Sequence, residues 1–148
     1  MVLTPHMRTI LAAVLADIRR IEAMPDRPPP GMSRDDWREA WRERQELGQF
    51  GIRHDLERWL GYPPSRSDSA VFSRTLRQIE DLGLLVRVNR WGPSSRATHV
   101  RLTPLGRAEA ERLVHEQQAA LQRLLADAVI YLDDVPEAAE PGPDDTGN

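Results

Sequence analysis

The residues best suited to binding chemistry in this sequence are the arginines and serines between residues 65 and 107. This stretch holds eight arginines and three acidic residues, a local charge of +5, whereas the whole chain has a net charge of −3. A guanidinium group can form two parallel hydrogen bonds to a phosphate or to the edge of guanine, and serine hydroxyls reach the same groups. The pattern favours contact with a polyanion over the other interpretation, a solvated helix face without a ligand.

The periodicity of this stretch assigns its polar side chains to a helix and a β-hairpin. Apolar residues repeat at helical spacing at Phe72, Leu76, Ile79 and Leu82. They predict a helix over 68–82, and two alternating runs predict strands over 85–91 and 96–102. The polar residues that these elements would present to a ligand are Arg66, Ser69, Ser73, Arg74, Arg77, Arg90 and Arg96. The hairpin register, which decides whether His99 or Arg101 faces outward, stays open.

The composition argues against catalysis and metal binding. There is no cysteine, which excludes disulfides, thiolate zinc sites and cysteine nucleophiles. The four histidines are scattered, and Glu111 and His115, one helical turn apart, lack the spacing of a zinc-binding HExxH motif. A glycine-rich phosphate loop and a nucleophile elbow are also missing. We therefore expect no enzyme activity, no metal and no cofactor.

Two helices are predicted before the basic stretch. A Thr-Pro pair starts the first, over 4–23, and its apolar stripe leaves Asp17 to solvent. The second, over 33–47, carries Trp37 and Trp41 one turn apart on one face. These two rings would pack against the first helix or a partner chain, or they would line a ligand site.

The C-terminal helix, predicted over 104–132, is too long for one small domain to bury. It would be about 42 Å long, and its apolar stripe widens towards the C-terminal end. The simplest cover is a second copy of the same helix, so we expect a two-fold homodimer in which the helix over 4–23 takes part. Residues 133–148 contain six acids and no base and predict an acidic disordered tail, which leaves 1–132 as a single domain.

The predicted fold class is mainly α with a small β-hairpin. No apolar run approaches the roughly 18 residues of a membrane span, and the N-terminal region lacks a signal pattern. We therefore expect no membrane contact and a cytoplasmic location.

A further short helix, predicted over 52–60, is joined by a tight turn to the basic helix and makes a helix-turn-helix candidate. The segments 72–85, 94–97 and 100–107 bring a helix, Gly-Leu-Leu, a basic hairpin and Leu-Thr-x-x-Gly in this order. They resemble the winged helix-turn-helix regulators of the MarR type, and the related PadR type shares part of the signature. The resemblance implies a winged-helix core over about 52–103 with long N- and C-terminal dimerisation helices.

This resemblance also implies where the side chains would bind. The residues that would enter the major groove of double-stranded DNA are Ser69, Ser73, Arg74 and Arg77. Arg96 would enter the minor groove from the wing tip. In the family an acidic residue commonly stands two positions before the wing arginine, but this chain has Ser94 there, so a salt bridge that would hold Arg96 is missing.

Regulators of this type often bind an aromatic effector between the dimer helices and the DNA-binding lobe. The candidate pocket residues here are Trp37, Trp41, Trp59 and Tyr62, with core packing as the alternative role. The leading hypothesis is a homodimeric, sequence-specific DNA-binding transcriptional regulator that a small aromatic effector could release. The rival is a winged-helix protein-interaction module that binds no DNA, which the acidic overall charge and the surface of Trp37 and Trp41 would suit.

Overall fold

The computed structural model describes residues 2–92 and 96–134, and these are mainly α-helical with one small antiparallel sheet. The helices are α1 (Pro5–Glu22), α2 (Arg34–Gln49), α3 (Leu56–Leu60), α4 (Arg66–Asp81) and α5 (Pro104–Asp134). The strands are β1 (Ile52–Arg53), β2 (Leu85–Val88) and β3 (His99–Leu102), in the order β1-β3-β2. The chain divides into two compact units, residues 1–113 and 114–148. The prediction of a mainly α chain with a small β element is confirmed, although the described sheet has three strands instead of two.

Helix α1 begins where the sequence predicts and supplies much of the core of the first unit. The Thr4 hydroxyl accepts a hydrogen bond from the Met7 amide at 3.2 Å, and a proline occupies the first turn, where no amide hydrogen is needed. The helix packs against α2, α3 and α4. Its apolar stripe is buried at Met7, Ile10, Leu11, Val14, Leu15, Ile18 and Ile21. Little of that stripe is therefore left for a second copy of the chain.

The predicted helix over 52–60 is wrong in its first half, because Ile52–Arg53 forms strand β1. This strand pairs antiparallel with β3, and Val100 lies opposite its first residue. Gly51 permits the close approach, because its φ is +107° and a Cβ atom there would lie 2.2 Å from the Val100 carbonyl oxygen. Helix α3 begins only after Asp55, whose side chain accepts a hydrogen bond from the backbone within the first turn.

The hairpin strands are shorter than predicted, and their register decides which side chains face outward. Val100 lies opposite Arg87, and His99 lies opposite Val88. His99 is buried, whereas Arg87 and Arg101 are exposed. The sheet thus turns a histidine towards the core and two arginines towards solvent.

Helix α4 begins two residues before its predicted start because Ser65 caps it. The Ser65 hydroxyl accepts from the Asp68 amide at 3.1 Å, and the Asp68 carboxylate accepts from the Ser65 amide at 2.9 Å. The buried face of the helix consists of Phe72, Thr75, Leu76 and Ile79. Leu82, predicted on this face, is 37% exposed, because the helix ends at Asp81 and Gly83 turns the chain with a φ of +75°.

Helix α5 begins at the predicted Thr-Pro pair, where the Thr103 hydroxyl accepts from the Gly106 amide at 3.0 Å. In the second unit the helix exposes a row of large apolar residues, Leu121, Leu124, Leu125 and Val129. The helix continues through Asp134, so the first two residues of the predicted disordered tail are helical, and residues 135–148 lie outside the described residues. None of the helices described here is long and apolar enough to span a bilayer.

Candidate nucleic-acid interface

A groove of about 990 Å³ runs between helix α4 and the β2–β3 hairpin. Ser69, Ser73 and Arg77 line it from the helix, and Arg96 lines it from the hairpin side. The three helix residues follow one another at intervals of four, which places them on one helical face. The fold therefore brings the predicted helix residues and the predicted hairpin arginine into one groove.

Four arginines at this surface carry charge that no described residue neutralises. Arg66 and Arg74 are exposed on α4, while Arg77 and Arg96 are exposed at the groove. Among residues 2–92 and 96–129, whose side chains the structure describes, none of the four has an ion-pair partner or a side-chain hydrogen bond. Their donors are thus free to bind an external acceptor.

The other arginines of the basic stretch are already bound within the chain. Each donates to an acceptor: Arg87 to Glu80, Arg107 to Glu22, Arg101 to the backbone carbonyl of Gln49, and Arg90 to Glu46. The hydrogen bond from Arg107 holds the pKa of Glu22 below its ordinary value. Tertiary contacts therefore split the predicted basic patch into a bound set and the free set Arg66, Arg74, Arg77 and Arg96.

The carboxylate of Glu46, buried in α2, ties the hairpin to the helical core. It accepts from Arg53 at 2.8 and 2.9 Å and from Arg90 at 3.0 Å, and it lies 3.2 Å from Nε2 of His99. Burial by itself raises the pKa of Glu46, but the hydrogen bonds from Arg53 and His99 hold it below its ordinary value. Arg90, predicted to bind DNA, is thus engaged within the chain. Nothing local in the sequence distinguishes Glu46 from the other charged residues of its helix.

A second buried carboxylate, that of Asp17, joins α1 to α3. The residue is only 5% exposed, so its assignment to solvent was wrong. It accepts from the indole nitrogen of Trp59 at 2.7 Å and from Arg58 at 3.1 Å. The sequence held a signal for this: Asp17 stands seven residues after Ile10, on the apolar stripe of α1.

The four candidate effector residues lie in two separate places. Trp59 and Tyr62 line a cavity of about 100 Å³ between α1, α3 and α4. Trp37 and Trp41, with ring centroids 6.0 Å apart, line a different hollow of about 380 Å³ beside Arg38. None of the cavities found in the described residues is lined by all four. Trp59 is also buried and hydrogen-bonded to Asp17, which gives it a structural role.

Among the described residues, two buried polar atoms at the groove lack a hydrogen-bond partner, and sequence reasoning missed both. They are Nε2 of His54 and Nδ2 of Asn89, each buried, and both residues line the groove. Burial lowers the pKa of His54 to about 4, with nearby His99 adding to the effect. His54 packs edge-on to Phe72, at 5.7 Å between ring centroids. At neutral pH this histidine is uncharged and adds no positive charge to the groove.

The described residues offer no group of three or more His, Cys, Asp or Glu side chains that could hold a metal ion. Comparisons of the chain with protein-family models, with curated proteins and with solved structures found no match. A functional assignment therefore rests on the groove and on the charge around it.

Proposed function

We propose that this chain is a sequence-specific DNA-binding transcriptional regulator of the winged helix-turn-helix class that acts as a homodimer. Helix α4 is the reading helix, and the β2–β3 hairpin is the wing. The proposal includes the MarR-type resemblance, with the PadR type as its relative, and a cytoplasmic site of action, where such a regulator would meet DNA. Double-stranded DNA is the proposed ligand, and the groove with its free arginines supports this choice.

One observation carries this proposal: free arginines flank a groove between a helix and a hairpin, while the other arginines of the stretch are bound. Arg77 lines that groove from α4 and Arg96 lines it from the hairpin side, while Ser69 and Ser73 share the helix face of Arg77. Arginine reads guanine with paired hydrogen bonds, and serine reaches phosphates or base edges. A solvated face without a ligand would give no reason for the free charges to gather around one concave surface.

The order of the elements supports the same proposal. A three-stranded sheet brackets α3 and α4, with β1 before them and the hairpin after them. Gly61 ends α3 in the left-handed conformation, with a φ of +85°, and the capped start of α4 follows closely. Two short helices joined by such a turn, followed by a hairpin, match the order expected for a helix-turn-helix with a wing.

The dimer part of the proposal is supported by helix α5. The helix has 31 residues and is about 46 Å long, and it exposes Leu121, Leu124, Leu125 and Val129 at helical spacing. A second copy of the same stripe would remove these side chains from water. Because the apolar stripe of α1 is already buried, we assign the dimer contact to α5. Reading helices of a two-fold dimer would contact half-sites about 34–36 Å apart.

The effector part of the proposal has narrower support. The cavity at Trp59 and Tyr62 holds about 100 Å³, below the roughly 300–1,000 Å³ of ligand pockets. The hollow at Trp37 and Trp41 is larger, and the Arg44 guanidinium lies 5.4 Å from the Trp41 ring centroid. If an aromatic effector releases the protein from DNA, this second hollow is the better site. The same surface would serve the rival protein-interaction module.

A selection from random duplexes, followed by fluorescence-anisotropy titration at several salt concentrations, tests the proposal. The variants are Arg74→Ala, Arg77→Ala and Arg96→Ala, with Arg42→Ala on α2, an arginine paired with Glu39, as control. Each of the first three is expected to weaken binding and to lower the salt slope by about 1 if it removes a phosphate contact, or to relax base preference if it removes a base contact. The proposal fails if no duplex is enriched, or if all four variants bind like the wild type.

A further inference from the structure

The hairpin also carries a large exposed aromatic side chain, Trp91, which is not among the residues that line the groove. Trp91 is 71% exposed, compared with 50% for Tyr62 and 40% for Trp41. It directly precedes Gly92 and follows Asn89 by two positions, and both of these line the groove. A tryptophan exposed to this degree keeps a large apolar surface in water, which is unfavourable unless something covers it.

Contacts with Arg90 and Asn89 hold the ring of Trp91 in place. The Arg90 guanidinium lies 4.9 Å from its centroid, a stacked cation–π contact, and 5.9 Å from the centroid of Phe50. The same guanidinium donates to the buried carboxylate of Glu46 at 3.0 Å. The backbone amide of Trp91 donates to the Asn89 side-chain oxygen at 2.8 Å. A chain of contacts from α2 therefore fixes an exposed ring in the segment of the hairpin whose residues Asn89 and Gly92 line the groove.

We infer that Trp91 is an apolar DNA contact and that Arg90 is a positioning residue for it. This inference rests on the proposed function, because the DNA that enters the groove is the occupant that would cover the ring. The ring would pack against deoxyribose and base edges of the minor groove next to the major groove that α4 reads. The Nη1 group of Arg90 donates to Glu46 and its guanidinium lies over the ring, so the role that we assign to Arg90 is to position Trp91.

Duplex DNA fits this surface better than a protein partner does. Of the charged residues that line the groove, Arg87 and Glu80 compensate each other, and the two that remain, Arg77 and Arg96, are both positive. A polyanion with apolar sugar edges is complementary to a rigid aromatic ring set beside arginines. A protein partner that covered Trp91 would not require unpaired arginines such as Arg77 and Arg96 along the adjoining groove.

Anisotropy titration of Trp91→Ala on the duplex that the wild type selects tests the inference. Binding is expected to be roughly 10- to 100-fold weaker, with an unchanged salt slope, because an apolar contact releases no counterions. Met32→Ala is the control, since Met32 is a 40% exposed apolar side chain that precedes α2 and does not line the groove. It should bind like the wild type. A thermal melt of each variant verifies folding, which an exposed side chain should barely affect.

The role of Arg90 is tested with Arg90→Lys, which keeps a cation beside Glu46 and removes the planar group that stacks on Trp91. Affinity should fall at unchanged salt slope, and the loss should vanish when the same change is made in Trp91→Ala. Full affinity of Arg90→Lys, or a loss that persists without the tryptophan, would overturn the positioning role.

The outcomes also separate this inference from the proposed function. If the wild type binds and Trp91→Ala binds equally well, only the inference is overturned, and a change in oligomeric state on sedimentation would then assign the ring to a protein contact. If the wild type binds no duplex at all, the proposed function fails and the inference falls with it. A DNA-dependent change in tryptophan emission that disappears in Trp91→Phe would support the inference independently of affinity.

Discussion

The Nη1 atom of Arg90, at the base of the hairpin turn, lies 3.0 Å from Oε1 of Glu46 in helix α2, 44 residues earlier in the chain. This hydrogen bond joins the hairpin to the helical core at a carboxylate whose side chain is only 7% exposed. The proposed resemblance to MarR-type regulators implies an acidic residue near the wing tip that commonly holds the wing arginine, and this chain has Ser94 there. In this protein the tie that the structure describes lies at the base of the hairpin.

Removing the charge at Glu46 should destabilise the protein. In Glu46→Gln, Arg53 and Arg90 lose their anionic partner in a largely buried site, and we expect the free energy of unfolding to fall by about 2–3 kcal/mol. Glu39→Gln is the matched control on the same helix, because Glu39 is 46% exposed and surface pairs contribute about 0–1 kcal/mol. Urea unfolding measures both. Equal stability of the two variants would show that the buried network contributes no more than a surface pair.

The glycine of the Leu-Thr-x-x-Gly segment is required by packing. A Cβ atom at Gly106 would lie 1.6 Å from the carbonyl oxygen of Leu84, which also accepts from the Thr103 amide at 3.1 Å. We expect Gly106→Ala to cost about 3 kcal/mol or more, because the backbone must move. At Gly48 no atom lies within 4 Å of such a Cβ, so Gly48→Ala should raise stability by up to about 1 kcal/mol. Thermal melts by circular dichroism should move in opposite directions, and a melting temperature of Gly106→Ala close to that of the wild type would contradict this account.

His54 should make stability depend on pH. Its pKa in the folded protein is about 4, and the ordinary value is about 6.5, so the unfolded chain takes up a proton that the folded chain refuses between these values. Stability should therefore fall as pH drops from about 6.5 to 4, by at most about 3 kcal/mol. The slope should be shallower in His54→Phe, whereas His115→Gln, at an exposed histidine, should keep it. Identical slopes in all three proteins would remove His54 as the cause.

The exposed stripe on α5 should control association. Leu124 is 66% exposed, and Leu124→Glu puts a charge in the middle of the proposed dimer contact. We expect dimer dissociation to become at least about tenfold easier in sedimentation equilibrium, together with weaker DNA binding. Gln122→Glu adds the same charge at an exposed polar neighbour and should leave association unchanged. A wild-type protein that sediments as a monomer at all concentrations would contradict the dimer.

Much of the helical framework could be predicted because its signals are local. The caps at Thr4, Ser33 and Thr103 and the apolar periodicity of α1 and α4 act within a few residues, so the chain itself specifies where α1, α2 and α5 begin. The segregation of arginines into one stretch was equally visible. The local signal failed at β1, where the periodicity of a short apolar run fits a helix and a strand alike.

The sequence by itself determined the starts of α1, α2 and α5, the position of the hairpin and the basic stretch that contains the candidate site. Only the tertiary structure decided which arginines are free, since Arg87, Arg90 and Arg107 find their acceptors elsewhere on the chain. It also decided that Asp17 faces inward. The physical reason is the same in both cases. Whether a charged side chain is paired or buried depends on where its partner lies, and the partners of Arg90 and of Asp17 lie more than 40 residues away in the sequence.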